Sequence, residues 1–150
     1  MKSMWIPLIC FTLFSGATAH GKEQCSNATL NGSYGLTASG TVIGVGPVAL
    51  VGVLEYDGKG NLTGGTVFQK VNGNNVEVTL TGTYTVDPSC IVFDTFLDSN
   101  GRTSTHVSVI VDSGKEFYIL NTTPPPTVTP PSGNVVVGVA KKQFRKAKSK

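Results

Sequence analysis

Charge, tryptophan, methionine and histidine are all scarce in this chain. Of 150 residues 14% are charged, with one Trp, two Met and two His. No G-x-S-x-G, H-E-x-x-H or C-x-x-C motif is present, and no phosphate-binding glycine loop. These absences remove the motif-bearing hydrolases, zinc proteases, dithiol redox sites and P-loop nucleotide enzymes. No stretch longer than a turn or two carries a 3.6-residue apolar rhythm, which argues against a helical domain. Leu, Glu and Lys are sparse outside the C-terminal end. Val, Thr, Gly and Asn take their place, a composition that suits strands and turns.

Beyond Phe14 no apolar run is long enough to cross a membrane as a helix. The run before it has a different purpose. Lys2 is a positive start, Trp5 to Phe14 (WIPLICFTLF) is a short apolar core, and Ala17-Thr18-Ala19 is a small-x-small cleavage site. Residues 1–19 thus read as a secretory signal peptide, cut between Ala19 and His20. Pro7-Leu8-Ile9 lacks the small residue expected beside a lipidated cysteine, which argues against Cys10 as a lipid anchor. Cleavage leaves Cys25 and Cys90, and two cysteines in an exported chain read as one disulfide. The expected location is secreted or periplasmic.

All nine acidic residues lie between His20 and Ala140, opposed there by Lys22, Lys59, Lys70, Arg102 and Lys115. From Lys141 onward the chain is basic: Lys141, Lys142, Arg145, Lys146, Lys148 and Lys150. The body, residues 20–143, is expected to be one domain, and 144–150 a solubilising tail. Such a tail is also able to touch an anionic surface.

Eight strand-like runs follow the leader: Ser33 to Ile43, Val48 to Tyr56, Asn61 to Val71, Val76 to Val86, Ile91 to Asp98, Thr103 to Asp112, Glu116 to Asn121 and Val135 to Lys141. The second is nearly all apolar and is expected to be buried on both faces. The third contains Gly64-Gly65, a bulge or bend signal. The fourth alternates: Val76, Val78, Leu80, Tyr84 and Val86 face one way, Glu77, Thr79, Thr81, Thr83 and Thr85 the other. The sixth sets Val107, Val109 and Val111 on one side. Short connectors such as Asn72-Gly73-Asn74 and Ser99-Asn100-Gly101 join antiparallel neighbours. The expected fold is all-β, an up-and-down barrel of about eight strands, which removes exposed edges. A β-sandwich is the alternative. Thr122 to Ser132 (TTPPPTVTPPS) holds five prolines and reads as an extended surface connector.

Four constellations bear on chemistry. Glu55 to Thr63 (EYDGKGNLT) superficially resembles a calcium loop. Lys59 stands where a third oxygen ligand belongs and Phe68 where the distal Glu belongs, so a hairpin corner is expected. Asp94 and Asp98 share a strand face and are expected to be solvated; a glycosidase-like pair would need a raised pKa in a cleft. After cleavage His20 becomes the amino terminus, and with His106 it offers a copper-binding histidine brace. The start "HG" is similar to that of lytic polysaccharide monooxygenases, whose other signatures are missing. Asn27, Asn31, Asn61 and Asn121 fit the N-x-[ST] pattern, which matters only in a eukaryotic secretory pathway.

Cys25 to Leu36 (CSNATLNGSYGL) resembles the opening of a family of small exported bacterial β-barrel proteins, Cys-Ser-x-Ala-x-Leu-x-Gly-x-Tyr-Gly. Tyr56 to Gly64 resembles their Phe-Asp-Gly-x-Gly-Asn turn, Gly82 to Cys90 their second-cysteine segment, and Gly138 to Gln143 their closing strand. The resemblance spans most of the mature chain. It implies a calycin-like barrel, supports the Cys25–Cys90 pairing and carries over no catalytic residue. The proline-rich connector and the basic tail depart from it.

The leading functional expectation is a non-enzymatic exported barrel that binds a small apolar or amphipathic ligand, or a surface partner, without a cofactor. An eight-stranded interior is either filled or just wide enough for one small ligand. The alternatives are a structural or adhesive envelope protein, a barrel isomerase or cyclase, and copper binding through His20 and His106.

Overall fold

Three aspartates organise the hairpins. Asp57 Oδ1 accepts hydrogen bonds from the backbone N–H groups of Lys59 (2.7 Å) and Asn61 (3.0 Å), and its Oδ2 accepts one from Asn61 Nδ2. Asp87 Oδ1 accepts in the same pattern from Ser89 and Ile91, and Asp98 Oδ1 from Asn100 and Arg102. In each turn an aspartate binds the backbone two and four residues on, an Asx-type turn that reverses the chain. The third residue after each aspartate has positive φ: Gly60 at 111°, Gly101 at 78° and Cys90 at 69°. Two of these slots hold glycine, which adopts that conformation freely. The third holds the cysteine.

These turns connect a computed structural model that describes residues 24–123 and 134–144. Its strands are β1 (Asn31–Val42), β2 (Gly46–Asp57), β3 (Asn61–Val71), β4 (Asn74–Val86), β5 (Ile91–Asp98), β6 (Thr103–Val111), β7 (Glu116–Asn121) and β8 (Val135–Lys142). Each pairs antiparallel with the next, and β8 pairs with β1, so the sheet closes into a barrel. The eight-stranded up-and-down barrel is the fold, and the sandwich is not. The strand bounds expected from sequence lie within two residues of those observed. The register of β3 shifts between Leu62 and Thr66, across Gly64-Gly65.

The two ends of the barrel differ. At one end Tyr34, Tyr56, Tyr84 and Phe117 meet edge to face, with ring centroids 5.1–5.8 Å apart. The chain segment before β1 caps them, with Leu30 completely buried. Its short 3-10 turn, Asn27–Thr29, is tied down twice. Tyr84 Oη lies 2.9 Å from the carbonyls of both Asn27 and Leu30, and Val86 N–H donates to Asn27 Oδ1 at 2.8 Å. The Cys25–Cys90 disulfide fastens this segment to the β4–β5 turn. Tyr34 donates from the same end to the Gly114 carbonyl at 2.7 Å. One end is therefore plugged with aromatic rings.

The alternation of β4 is as expected: Val78, Leu80 and Tyr84 are buried, and the intervening threonines are exposed. The expectation for β2 is corrected. Only Val48, Leu54 and Tyr56 are buried, while Ala49 and Val51 face solvent. A barrel strand has one inner and one outer face, and here the outer one is also apolar. The same holds across the far wall. Phe93, Val107, Leu120 and Val137 form one outward row over β5 to β8, and Phe93, Leu120 and Val137 are about half exposed.

Candidate functional site

Below the aromatic plug the interior changes. Val67, Val78 and Val92 fill the waist. Towards the other end the inward residues become small or short: Ala38 on β1 and Gly138 on β8. A Cβ on Gly138 would stand 2.6 Å from that of Ala38, so the two strands approach closely there. The remaining space is a cavity of about 270 Å³. Leu36, Leu50, Leu80, Phe96 and Ile119 form much of its wall. Its mouth lies among the β1–β2 loop, the β5–β6 turn and the ends of β7 and β8. Asn121, Thr123 and Asn134 supply polar groups there, joined by Asn134 Nδ2 donating to Asn121 Oδ1 and by Asn121 Nδ2 donating to Thr123 Oγ1.

One polar pair sits deeper. On β5 the inward positions are Val92, Asp94 and Phe96; on β6 they include Ser104, His106 and Ser108. The hairpin register sets Asp94 directly opposite His106. His106 Nδ1 lies 2.6 Å from Asp94 Oδ1, with the two side chains 12% and 2% exposed. The Phe96 ring packs against the imidazole, centroids 4.7 Å apart. Burial pushes the Asp94 carboxyl upward in pKa, partly opposed by the hydrogen bond and charge of His106. A carboxylate that orients a histidine leaves one ring nitrogen, Nε2, for other work. His106 lines the cavity, while Asp94 sits behind it. Nε2 is thus suited to anchoring a ligand or relaying a proton.

The expectation that Asp94 and Asp98 are both solvated is corrected. Asp94 is 6% exposed, and the strand's alternation carries it into the barrel. Asp98 lines the mouth and behaves differently. Burial raises its pKa, but the Arg102 backbone and side chain and the Asn100 N–H outweigh that and hold it below the ordinary carboxylate range. Arg102 Nε donates to Asp98 Oδ2 at 2.8 Å. A raised carboxyl does exist, but His106 covers it, so it does not form a glycosidase pair with Asp98.

His20 lies outside the described residues, as do residues 1–19 with the expected signal-peptide cleavage point at Ala19, the prolines of the β7–β8 connector, and Arg145, Lys146, Lys148 and Lys150. Nδ1 of His106 is already taken by Asp94. Among the described residues no group of three or more His, Cys, Asp and Glu is placed to hold a metal. Lys141 and Lys142 belong to β8: Lys141 Nζ is 3.0 Å from Glu116 Oε2, and Lys142 lies over the Tyr34 ring. Two buried hydroxyls, Tyr56 Oη and Ser108 Oγ, have no hydrogen-bond partner among the described residues. Burial and the Asp94 charge push the Tyr56 pKa well up.

The Asp94–His106 pairing was open to discovery from sequence. A turn centred on Asn100 pairs residues equidistant from it, and 94 and 106 are both six away. No helix among the described residues is long and apolar enough to cross a membrane. Comparison with protein-family models, curated proteins and solved structures gives no match.

Proposed function

We propose that the protein is an exported, non-enzymatic β-barrel carrier that binds one small apolar or amphipathic ligand. The observation that carries this reading is the cavity of about 270 Å³, apolar in its wall and opposite the plugged end. Binding cavities for drug-sized molecules run from about 300 to 1,000 Å³, so this one suits a smaller guest. A cavity of about 150 Å³ already holds benzene. The leader-like start and the disulfide support export, and the resemblance to small exported barrels agrees with it. Ligand binding to the folded state alone raises the melting temperature. Benzene saturation should therefore raise it for the native protein and not for Ala38→Phe, in which the cavity is filled. Mass spectrometry of protein extracted mildly from its source should show a bound small molecule. Absence of both effects refutes the carrier.

The outward apolar row on β5 to β8 favours a second reading, a structural or adhesive protein whose wall meets a surface partner. The basic residues Lys141, Lys142, Arg145, Lys146, Lys148 and Lys150 would add attraction to an anionic surface. Cosedimentation with anionic vesicles tests that part, and salt should reverse it.

A further inference from the structure

We infer that the carrier's ligand is uncharged and bears a hydroxyl group, an alcohol or phenol on an apolar body of one to two rings. This rests on the carrier reading and specifies what its cavity selects. Three observations lead to it.

The first concerns charge. Among the described residues the ionisable side chains lining the cavity are Asp98, Arg102 and His106. Each is already engaged by a side-chain partner. Arg102 holds Asp98 at 2.8 Å, and His106 holds Asp94 at 2.6 Å. Asp98 also accepts two backbone hydrogen bonds within its own turn. A charged ligand would enter an apolar space whose ionisable groups are already bonded to one another. Burying an ion without a counter-charge is strongly unfavourable. The site therefore selects against carboxylates and ammonium groups alike.

The second concerns hydrogen bonding. The imidazole is fixed at one nitrogen by Asp94 and on one face by Phe96. Its Nε2 is what it offers to the cavity. In the neutral ring, with Nδ1–H donating to Asp94, Nε2 accepts a hydrogen bond. When the ring gains a proton, Nε2–H donates. A hydroxyl satisfies both states because it is donor and acceptor together. A carbonyl satisfies only the second.

The third is size. At about 270 Å³ the cavity is somewhat under twice the volume that encloses benzene. A bicyclic ring, or one ring with a short chain, fills it.

Naphthalene, 2-naphthol and 2-naphthoate share one body and differ in the head group. Their dissociation constants at neutral pH test the inference by calorimetry. We expect 2-naphthol to bind about tenfold more tightly than naphthalene, the effect of one net hydrogen bond. Naphthoate should bind more weakly than naphthol by at least about tenfold. This ranking needs no variant, so it decides the charge question even if substitutions unfold the barrel. Asp94→Leu/His106→Phe replaces the buried pair with apolar groups, a change cores often tolerate. There naphthalene should still bind and the naphthol advantage should vanish. Tightest binding by naphthoate, or a naphthol advantage that survives the double substitution, overturns the inference and leaves the carrier standing. If none of the three binds, the carrier fails and the inference with it.

Discussion

The aromatic plug contains three tyrosines in one setting but with different fates for their hydroxyls, so one substitution made three times gives a controlled experiment. Tyr34 Oη donates to the Gly114 carbonyl at 2.7 Å, and both groups are buried. Tyr84 Oη is 2.9 Å from two carbonyls. Tyr56 Oη has none of this, although its ring packs against Tyr34, Tyr84 and Phe117. Changing each to Phe removes one oxygen and leaves the ring. For Tyr34 the loss is a net hydrogen bond plus a carbonyl left unsatisfied, about 1–3 kcal/mol. Tyr84→Phe should cost a similar amount. Tyr56→Phe releases a hydroxyl that was desolvated without compensation, a relief of about 1–3 kcal/mol. The small void it leaves takes back part of that. The variant should be as stable as the parent or more so, at least about 2 kcal/mol above Tyr34→Phe. Urea unfolding followed by near-ultraviolet circular dichroism measures all three. If Tyr56→Phe is as destabilising as Tyr34→Phe, its hydroxyl has a partner, and the account of the plug is wrong.

Other expectations follow from the turns and the termini. Replacing the disulfide by Cys25→Ala/Cys90→Ala should cost about 4 kcal/mol in the chain-entropy treatment of a 65-residue separation. Cys25→Ala/Cys90→Gly should recover about 1 kcal/mol of that, because position 90 has φ of 69°; equal stabilities for the two variants would refute the strain. The Asp57 carboxyl is held at about 2 by the Asn61 side chain and by the Asn61 and Lys59 N–H groups. A pKa depressed in the folded state contributes stability that is complete above the ordinary value near 4 and is lost as pH falls towards 2. The stability of Asp57→Ala should therefore depend less on pH in that window, and an unchanged acid profile would count against it. Truncation after Gln143 should leave the unfolding midpoint unaltered, because among the described residues Gln143 N–H makes the last backbone bond to β1, to the Ser33 carbonyl, and Phe144 is fully exposed.

Much of the barrel was legible because alternation and turn chemistry are local. β4 displays its inner face in Val78, Leu80 and Tyr84, and Asp-headed turns announce where strands end. β2 misled because outward valines read like inward ones: Val51 looks no different from Val48 until the barrel assigns it a side. The site was less legible for another reason. Asp94 and His106 are twelve apart, and each alone resembles a surface polar residue. Only hairpin register makes them a pair, and only closure of the barrel makes the pair buried. Tyr34 and Tyr84 likewise gain their roles from carbonyls far along the chain, which no periodicity encodes.

Closure also has a consequence in time. Seven of the strand pairings join sequence neighbours, while the eighth brings Tyr34 to Lys142 and Thr41 to Val135. A chain made from its amino end must keep β1 waiting until the last strand emerges, and such distant pairings are slow to form. During that wait one edge of β1 is open. Its outward residues there, Gly35, Thr37, Ser39 and Thr41, offer little apolar surface to a stray neighbour. Both cysteines emerge before β5 is complete, so the Cys25–Cys90 bond is able to clasp the plugged end first. The nascent protein would then be a curled, tethered sheet for which β8 is the final stave.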